Sequence, residues 1–258
     1  MAAQFAESEP VDDAHLRSYG PACQTPVERA PMVQSWDEVT FLHWRFEPDT
    51  VQRVLPTGLT VETFDGSAWV GLVPFFLRVG LPGVPPVPWM SCFAETNVRT
   101  YVRSRDGASG VWFFSLDAAR LGAVLVARST YRLPYFWSEM SVERSPSAIS
   151  YRCRRRWPGP SGVRSHVAVE IGEPFAPDGL TDLDHFLTAR WALFSAPRSG
   201  LRHAAVSHDP WPLHRAQVVR LDDELVEAAG LPQPAGDPLV HHSPAVAVRI
   251  GWPSRIGR

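Results

Sequence analysis

The stretch Cys92-Phe93-Ala94-Glu95-Thr96-Asn97-Val98-Arg99-Thr100-Tyr101-Val102-Arg103 decides how the rest of the chain is read. It is rich in β-branched and aromatic residues and free of Gly and Pro, which predicts a strand. Successive strand residues point to opposite faces. One face therefore carries Cys92, Ala94, Thr96, Val98, Thr100 and Val102, a small and largely apolar set expected to be buried. The other carries Phe93, Glu95, Asn97, Arg99, Tyr101 and Arg103, which are large and mostly polar. This polar face has two readings. In an ordinary sheet it meets solvent; in a closed sheet it lines an internal cavity while the apolar face packs under other elements.

Working outward, short segments rich in Val, Phe, Tyr and Trp alternate with Gly and Pro on both sides of this stretch, as in a β-rich fold. Residues 110–118 place Val111, Phe113, Ser115 and Asp117 on one face and Trp112, Phe114 and Leu116 on the other. Residues 123–131 read as a further strand, apolar apart from Arg128, Ser129 and Thr130. Asp65-Gly66 and Asp106-Gly107 are hairpin signals. Residues 81–88 carry too much proline for a strand and read as a rigid loop. Helices are few. The best spans residues 181–194, with Thr181 and Asp184 spaced as a capping box. Shorter ones are expected after Asp49 and over residues 222–229, the latter stopped by Gly230. Residues 1–30 lack any hydrophobic period and read as a poorly ordered leader. The expected architecture is mainly β (α+β): residues 31–258 as a single antiparallel β-barrel domain with a few packed helices.

Composition narrows the chemistry. All 25 residues counted as Lys or Arg are arginine. Arg stays protonated at any working pH, so no lysine imine and no lysine base is available. The net charge of −2 gives no overall nucleic-acid footprint. The basic run at Arg152, Arg154, Arg155 and Arg156 reads as a solvated strand or hairpin tip. Cys23, Cys92 and Cys153 are far apart and show no metal-binding spacing, as in a reducing compartment. With no signal-peptide pattern and no apolar run long enough for a bilayer, the expectation is a soluble cytoplasmic protein. Neither a nucleic acid nor a membrane is an expected partner, and self-association is left open.

The candidate site follows from the polar stripe. If Glu95, Arg99 and Arg128 converge, they make a charged site in an aromatic cavity, where burial and charge partners shift pKa values usefully. A buried arginine there should sit against a carboxylate, and Glu95 and Asp117 are nearest by strand order. Tyr135, in Leu133-Pro134-Tyr135-Phe136-Trp137, can donate a phenolic proton. Asn97, Tyr101, Phe113, Ser115 and Asp117 are the candidate ligand contacts. His208-Asp209-Pro210-Trp211-Pro212-Leu213-His214 reads as a rigid turn with His at each end, and His241-His242 as a loop pair. Neither has metal-helix spacing, and no nucleophile elbow, phosphate loop or dinucleotide pattern occurs, so no metal or cofactor is expected.

Several strings resemble a known family. They are Glu62-Thr63-Phe64-Asp65-Gly66, Ala68-Trp69-Val70-Gly71, Asn97-Val98-Arg99-Thr100-Tyr101-Val102 and Trp112-Phe113-Phe114-Ser115-Leu116-Asp117-Ala118, with 133–135 and 208–213. From about residue 39 to 252 the chain is similar to an uncharacterised bacterial family of the acetoacetate decarboxylase-like superfamily. The resemblance implies a cone-like β-barrel whose cavity takes a small, often carboxylate-bearing molecule. The best-known members act through a lysine shortly after a Tyr-Pro dipeptide. The comparable place here, residues 133–137, has no lysine, and Glu95 resembles that site's acidic partner. The reading is a lysine-independent enzyme of lyase, isomerase or cyclase type acting on a keto-acid-like or oxygenated metabolite. The alternative is a non-catalytic binding protein using the same cavity.

Overall fold

The computed structural model describes residues 19–20, 22–80, 91–176 and 178–256. Most of the expected leader, and the proline-rich loop expected at 81–88, lie outside the described residues. In chain order the elements are β1 (Met32–Phe46), α1 (Pro48–Gln52), β2 (Leu59–Val61), β3 (Thr63–Phe64), β4 (Ser67–Gly80), β5 (Cys92–Ser104), β6 (Ser109–Ala118), α2 (Leu121–Thr130) and β7 (Tyr135–Arg144). There follow β8 (Ala148–Trp157), β9 (Arg164–Pro174), α3 (Asp182–Thr188), β10 (Ala192–Ser195), β11 (Arg202–His208), β12 (His214–Asp223), α4 (Leu225–Ala228), β13 (Leu239–Ile250) and β14 (Ser254–Arg255).

The strands form one sheet in the order β14-β11-β10-β6-β7-β8-β9-β12-β13-β1-β4-β5-β2, with β3 on β4. Two further pairings, β5 with β6 and β11 with β13, bring the path back on itself twice. Strands β13, β1, β4, β5 and β6 are thus shared by two rings, one completed by β10 and β11, the other by β7, β8, β9 and β12. The closure is that of fused rings and not of one simple barrel.

Shared strands are covered on both faces, so β5 is buried without a break from Phe93 to Val102. Two apolar cores result. Phe41, Phe75, Phe93 and Phe113 pack on one face. Leu42, Trp44, Leu72 and Val98, of the opposite strand parity, pack on the other with Ile149 and Val167. Each fully buried side chain of this size contributes roughly 1.5–3 kcal/mol.

The Asp65-Gly66 turn joins β3 to β4 with both residues at positive φ, 50° and 74°. That is the turn whose twist matches a hairpin. The expected capping box also forms: Thr181 Oγ1 accepts from the Asp184 backbone N–H, and Asp184 accepts from that of Thr181.

Three sequence expectations are corrected. Residues 123–131 are not a strand but most of α2. Strands β6 and β7 pair in parallel, and a parallel pair needs a crossover, usually a helix. The short apolar run could not reveal this by periodicity alone. The helix expected over 181–194 ends at Thr188, and its tail becomes β10, parallel to β6. His241 and His242 lie not in a loop but within β13, both about 1% exposed.

Candidate functional site

The ring completed by β10 and β11 encloses a cavity of about 650 Å³. Phe93, Glu95, Asn97 and Arg99 line it from β5, so the polar stripe faces inward. Val111, Phe113 and Leu116 line it from β6. Helix α2 forms part of the wall through Ala123, Val126 and Ala127.

Glu95 is 3% exposed. Its carboxylate accepts a hydrogen bond from the Tyr135 hydroxyl, with Oη to Oε2 at 3.2 Å. Tyr135 opens β7, which α2 delivers beside β6, so the crossover is what sets this pair. Burial raises the Glu95 pKa to about 8; the Tyr135 hydrogen bond pulls it down and the Asp117 charge adds to the rise. Burial and the facing Glu95 push Tyr135 well above the ordinary phenol value. At neutral pH the carboxyl is thus mostly protonated beside a phenol that keeps its proton.

Arg99 is 5% exposed. Its Nη2 donates to the Leu187 carbonyl at 2.9 Å, in the last turn of α3. Such carbonyls lack partners within their own helix. The guanidinium lies over the rings of Phe41 and Tyr101 at 5.3 and 5.7 Å. Among the described residues Arg99 makes no ion pair with a carboxylate, and its Nε has no hydrogen-bond partner. Behind it, Tyr101 donates to the same Leu187 carbonyl and meets His43 Nε2 at 2.6 Å. Gly71 allows this packing: a Cβ there would fall 2.8 Å from His43 Nε2 and 3.6 Å from Arg99 Cγ.

The other expected site residues divide. Asn97 and Phe113 line the cavity, and the buried Asn97 Oδ1 has no partner among the described residues. Tyr101 stands behind Arg99. Ser115 and Asp117 are turned to the opposite face. The β5–β6 register pairs Val98 with Ser115 but Arg99 with Phe113, skipping Phe114. That bulge shifts alternation by one residue, and such a slip flips every later side chain. Asp117 instead holds Arg155 in a bidentate pair, at 2.9 and 2.7 Å, and accepts from Ser138 at 2.7 Å.

Arg128 does not join Glu95 and Arg99. It sits in the last turn of α2, where Nη1 donates to the Tyr135 carbonyl at 2.7 Å and the side chain faces a different groove. The helical geometry that overturned the strand reading also removes Arg128 from the cavity.

Sequence reading missed Arg190 and His208 as cavity residues. Arg190 follows α3 and pairs with Glu62 at 2.5 Å, with Nε donating to the Phe186 carbonyl at 2.8 Å; nothing local in the sequence marks it. His208 ends β11 with its ring between Trp191 and Trp211, at 4.6 and 4.9 Å. Its Nδ1 lies 2.7 Å from the Asp209 carbonyl, which can only accept, so the proton is on Nδ1. The dense His208–His214 turn was the available signal. No group of three or more His, Cys, Asp and Glu side chains assembles to hold a metal ion among the described residues.

This mostly antiparallel sheet has the fold of the acetoacetate decarboxylase-like proteins. The structure matches an acetoacetate decarboxylase-like enzyme from Sphingomonas wittichii RW1 at a TM-score of 0.59 and 12% identity, over 91% of this chain and 96% of that one. It matches the acetoacetate decarboxylase of Legionella pneumophila at 0.57 and 10%, over 98% of each. The enduracididine biosynthesis enzyme MppR, solved with pyruvate, matches at 0.56 and 13%, over 90% of this chain and 92% of that one. Within this fold the chain belongs to the DUF2071 family of uncharacterized conserved proteins, which it matches over residues 33–247. It is 34% identical over 226 residues to the uncharacterized protein YqjF of Bacillus subtilis strain 168, covering 87% of this chain and 91% of that protein. No helix among the described residues is long and apolar enough to cross a membrane.

Proposed function

We propose that this protein is a lysine-independent enzyme of the lyase or isomerase type that moves a proton at a carbon beside a keto or similarly oxygenated group. The observation that carries this reading is the buried Glu95–Tyr135 pair in the wall of a largely apolar cavity that opens beside α2. A general acid–base group works best with a pKa near the working pH, and Glu95 stands at about 8. Protonated, it donates to a keto oxygen and favours the enol. Ionised, it takes the neighbouring C–H proton and later returns it. Tyr135 remains a donor to Glu95 throughout. Arg99, which has no carboxylate partner among the described residues, holds an anionic group of the ligand. A neighbour in fold solved in complex with pyruvate supports the ligand class, and the absence of lysine directs the chemistry away from an imine.

The test is deuterium uptake from D2O next to the carbonyl of keto acids and ketones, followed by proton NMR. The wild-type chain should catalyse uptake, with a rate that rises with pH through about 8 as Glu95 ionises. Glu95→Gln should abolish that limb while the ligand still binds by calorimetry. Uptake unaffected by Glu95→Gln rejects the role of Glu95. Ligand binding with no uptake above the uncatalysed rate makes the chain a binding protein that uses the same cavity.

A further inference from the structure

The cavity is large for a three- or four-carbon acid. At about 30 Å³ for each water-sized group, 650 Å³ holds on the order of twenty non-hydrogen atoms, several times what pyruvate brings. It is also long. Phe93, Glu95, Asn97 and Arg99 all line it from one strand, and at about 3.3 Å per residue that row covers roughly 20 Å.

Two of the polar groups that line it, the acid and the arginine of β5, are correspondingly far apart. Glu95 and Arg99 are four residues apart, about 13 Å between Cα atoms. The Arg99 guanidinium is drawn to Tyr101 and the Leu187 carbonyl, beyond it along the strand. The charged neighbour that Glu95 feels is Asp117, not Arg99. A carboxylate seated on Arg99 therefore leaves its own α-carbon out of reach of Glu95. Asn97 lies between the two positions and Arg190 and His208 also reach the cavity, but most of the wall is apolar, with Phe113, Val111, Val206 and Trp211 among the lining side chains. Leu121 and Val126 of α2 line the cavity while 41% and 59% exposed, which places them at its mouth, where Arg120 and Thr130 line it as well.

We infer that the ligand is an extended, mostly apolar oxo acid, of medium-chain acyl or aryl type, whose terminal carboxylate sits on Arg99 and whose oxygenated carbon lies several bonds away at Glu95 and Tyr135. This rests on the proton-transfer reading above for the role of Glu95, but the ligand's length and the separation of its two polar groups rest on the cavity alone. The body of the molecule displaces water from apolar walls, and each buried methylene tightens binding two- to fourfold, up to the ~0.8 kcal/mol of burying one CH2.

The experiment compares pyruvate, 2-oxooctanoate, 7-oxooctanoate and octan-2-one on the full chain. Calorimetry gives affinity, and proton NMR in D2O gives deuterium uptake beside each ketone. 7-Oxooctanoate carries its ketone at the far end of the chain from its carboxylate. It should bind about tenfold or more tighter than pyruvate, and should exchange faster than either pyruvate or 2-oxooctanoate, whose ketones adjoin the carboxylate. Arg99→Gln should erase the preference for 7-oxooctanoate over octan-2-one, and Arg99→Lys should keep part of it. Pyruvate or 2-oxooctanoate matching 7-oxooctanoate in affinity and exchange overturns the inference and leaves the proton-transfer reading standing. Exchange on none of the four rejects proton transfer instead, and the affinity ranking in the wild-type chain still decides the ligand.

Discussion

Glu95 lines the cavity from β5 and meets a partner that strand order does not suggest. Strand parity places it on the polar face of β5, and the structure turns that face into a cavity wall. The sequence suggested that Glu95 neutralises an arginine, so that deleting it would strand a positive charge. It meets Tyr135 instead, because α2 carries β7 alongside β6, a crossover that no local pattern announces. The stability effect therefore changes sign. A carboxyl raised from 4.5 to about 8 in the folded chain keeps a proton that the unfolded chain releases. Its contribution is fully present below pH 4.5, is lost as pH rises towards 8, and stays lost above it. Glu95→Gln removes this titration while retaining an acceptor for Tyr135. Denaturant unfolding should show the variant gaining on the wild type by a few kcal/mol between pH 5 and pH 8. A constant difference across that range would place the carboxyl in an ordinary aqueous environment.

The β5–β6–α2 unit marks the limit of what alternation can say. In β5 the pattern is uninterrupted, so Glu95, Asn97 and Arg99 were legible as one row, and the open question of which side they face was settled by ring closure. In β6 the bulge at Phe114 breaks the count. Phe113 stays in the cavity, whereas Ser115 and Asp117 turn to the other face, and a bulge is a property of the strand pair and not of either strand's sequence. In α2 the apolar residues suit either a buried strand or a helix, and only the parallel pairing decides. Arg128 follows the helix. Its bond to the Tyr135 carbonyl is a strap across the α2–β7 junction and not a ligand contact. Arg128→Ala should consequently leave keto-acid affinity within about twofold and cost roughly 0.5–1.5 kcal/mol of stability for one hydrogen bond. Calorimetry and thermal unfolding measure both. A large loss of affinity with the fold intact would return Arg128 to the site.

Across the whole molecule, the fused rings explain why so much charge is buried on one small set of strands. The general architecture could be read from strand density and turn signals, but the sharing of five strands between two rings could not, since it depends on pairings remote in sequence. The N-terminal segment shows the same dependence: Tyr19 meets Phe186 edge-on at 5.2 Å, and the Val27 N–H donates to Ser207 at 3.0 Å. We expect deletion of residues 1–30 to lower the unfolding midpoint by several degrees, for the lost contacts of Tyr19 and Val27. The Asp117–Arg155 pair is the most consequential of these remote links. It ties β6 to β8, with Ser138 of β7 as third member, and both charged side chains are at most 3% exposed. Arg155 came from a basic run expected to be solvated. Its neighbours Arg152, Arg154 and Arg156 are indeed exposed, while Arg155 also stacks on Phe136 at 3.7 Å. Two desolvated charges gain little net stability as a pair, yet breaking the pair leaves one charge buried alone. Asp117→Ala should accordingly destabilise the fold by about 3–5 kcal/mol. The double replacement Asp117→Leu with Arg155→Met, which removes both charges and keeps bulk, should recover most of that loss. Denaturant unfolding of both variants beside the wild type measures the loss and its recovery. If the double variant is no more stable than Asp117→Ala, then the pair's geometry holds β6, β7 and β8 together, and the stranded charge is not the cause.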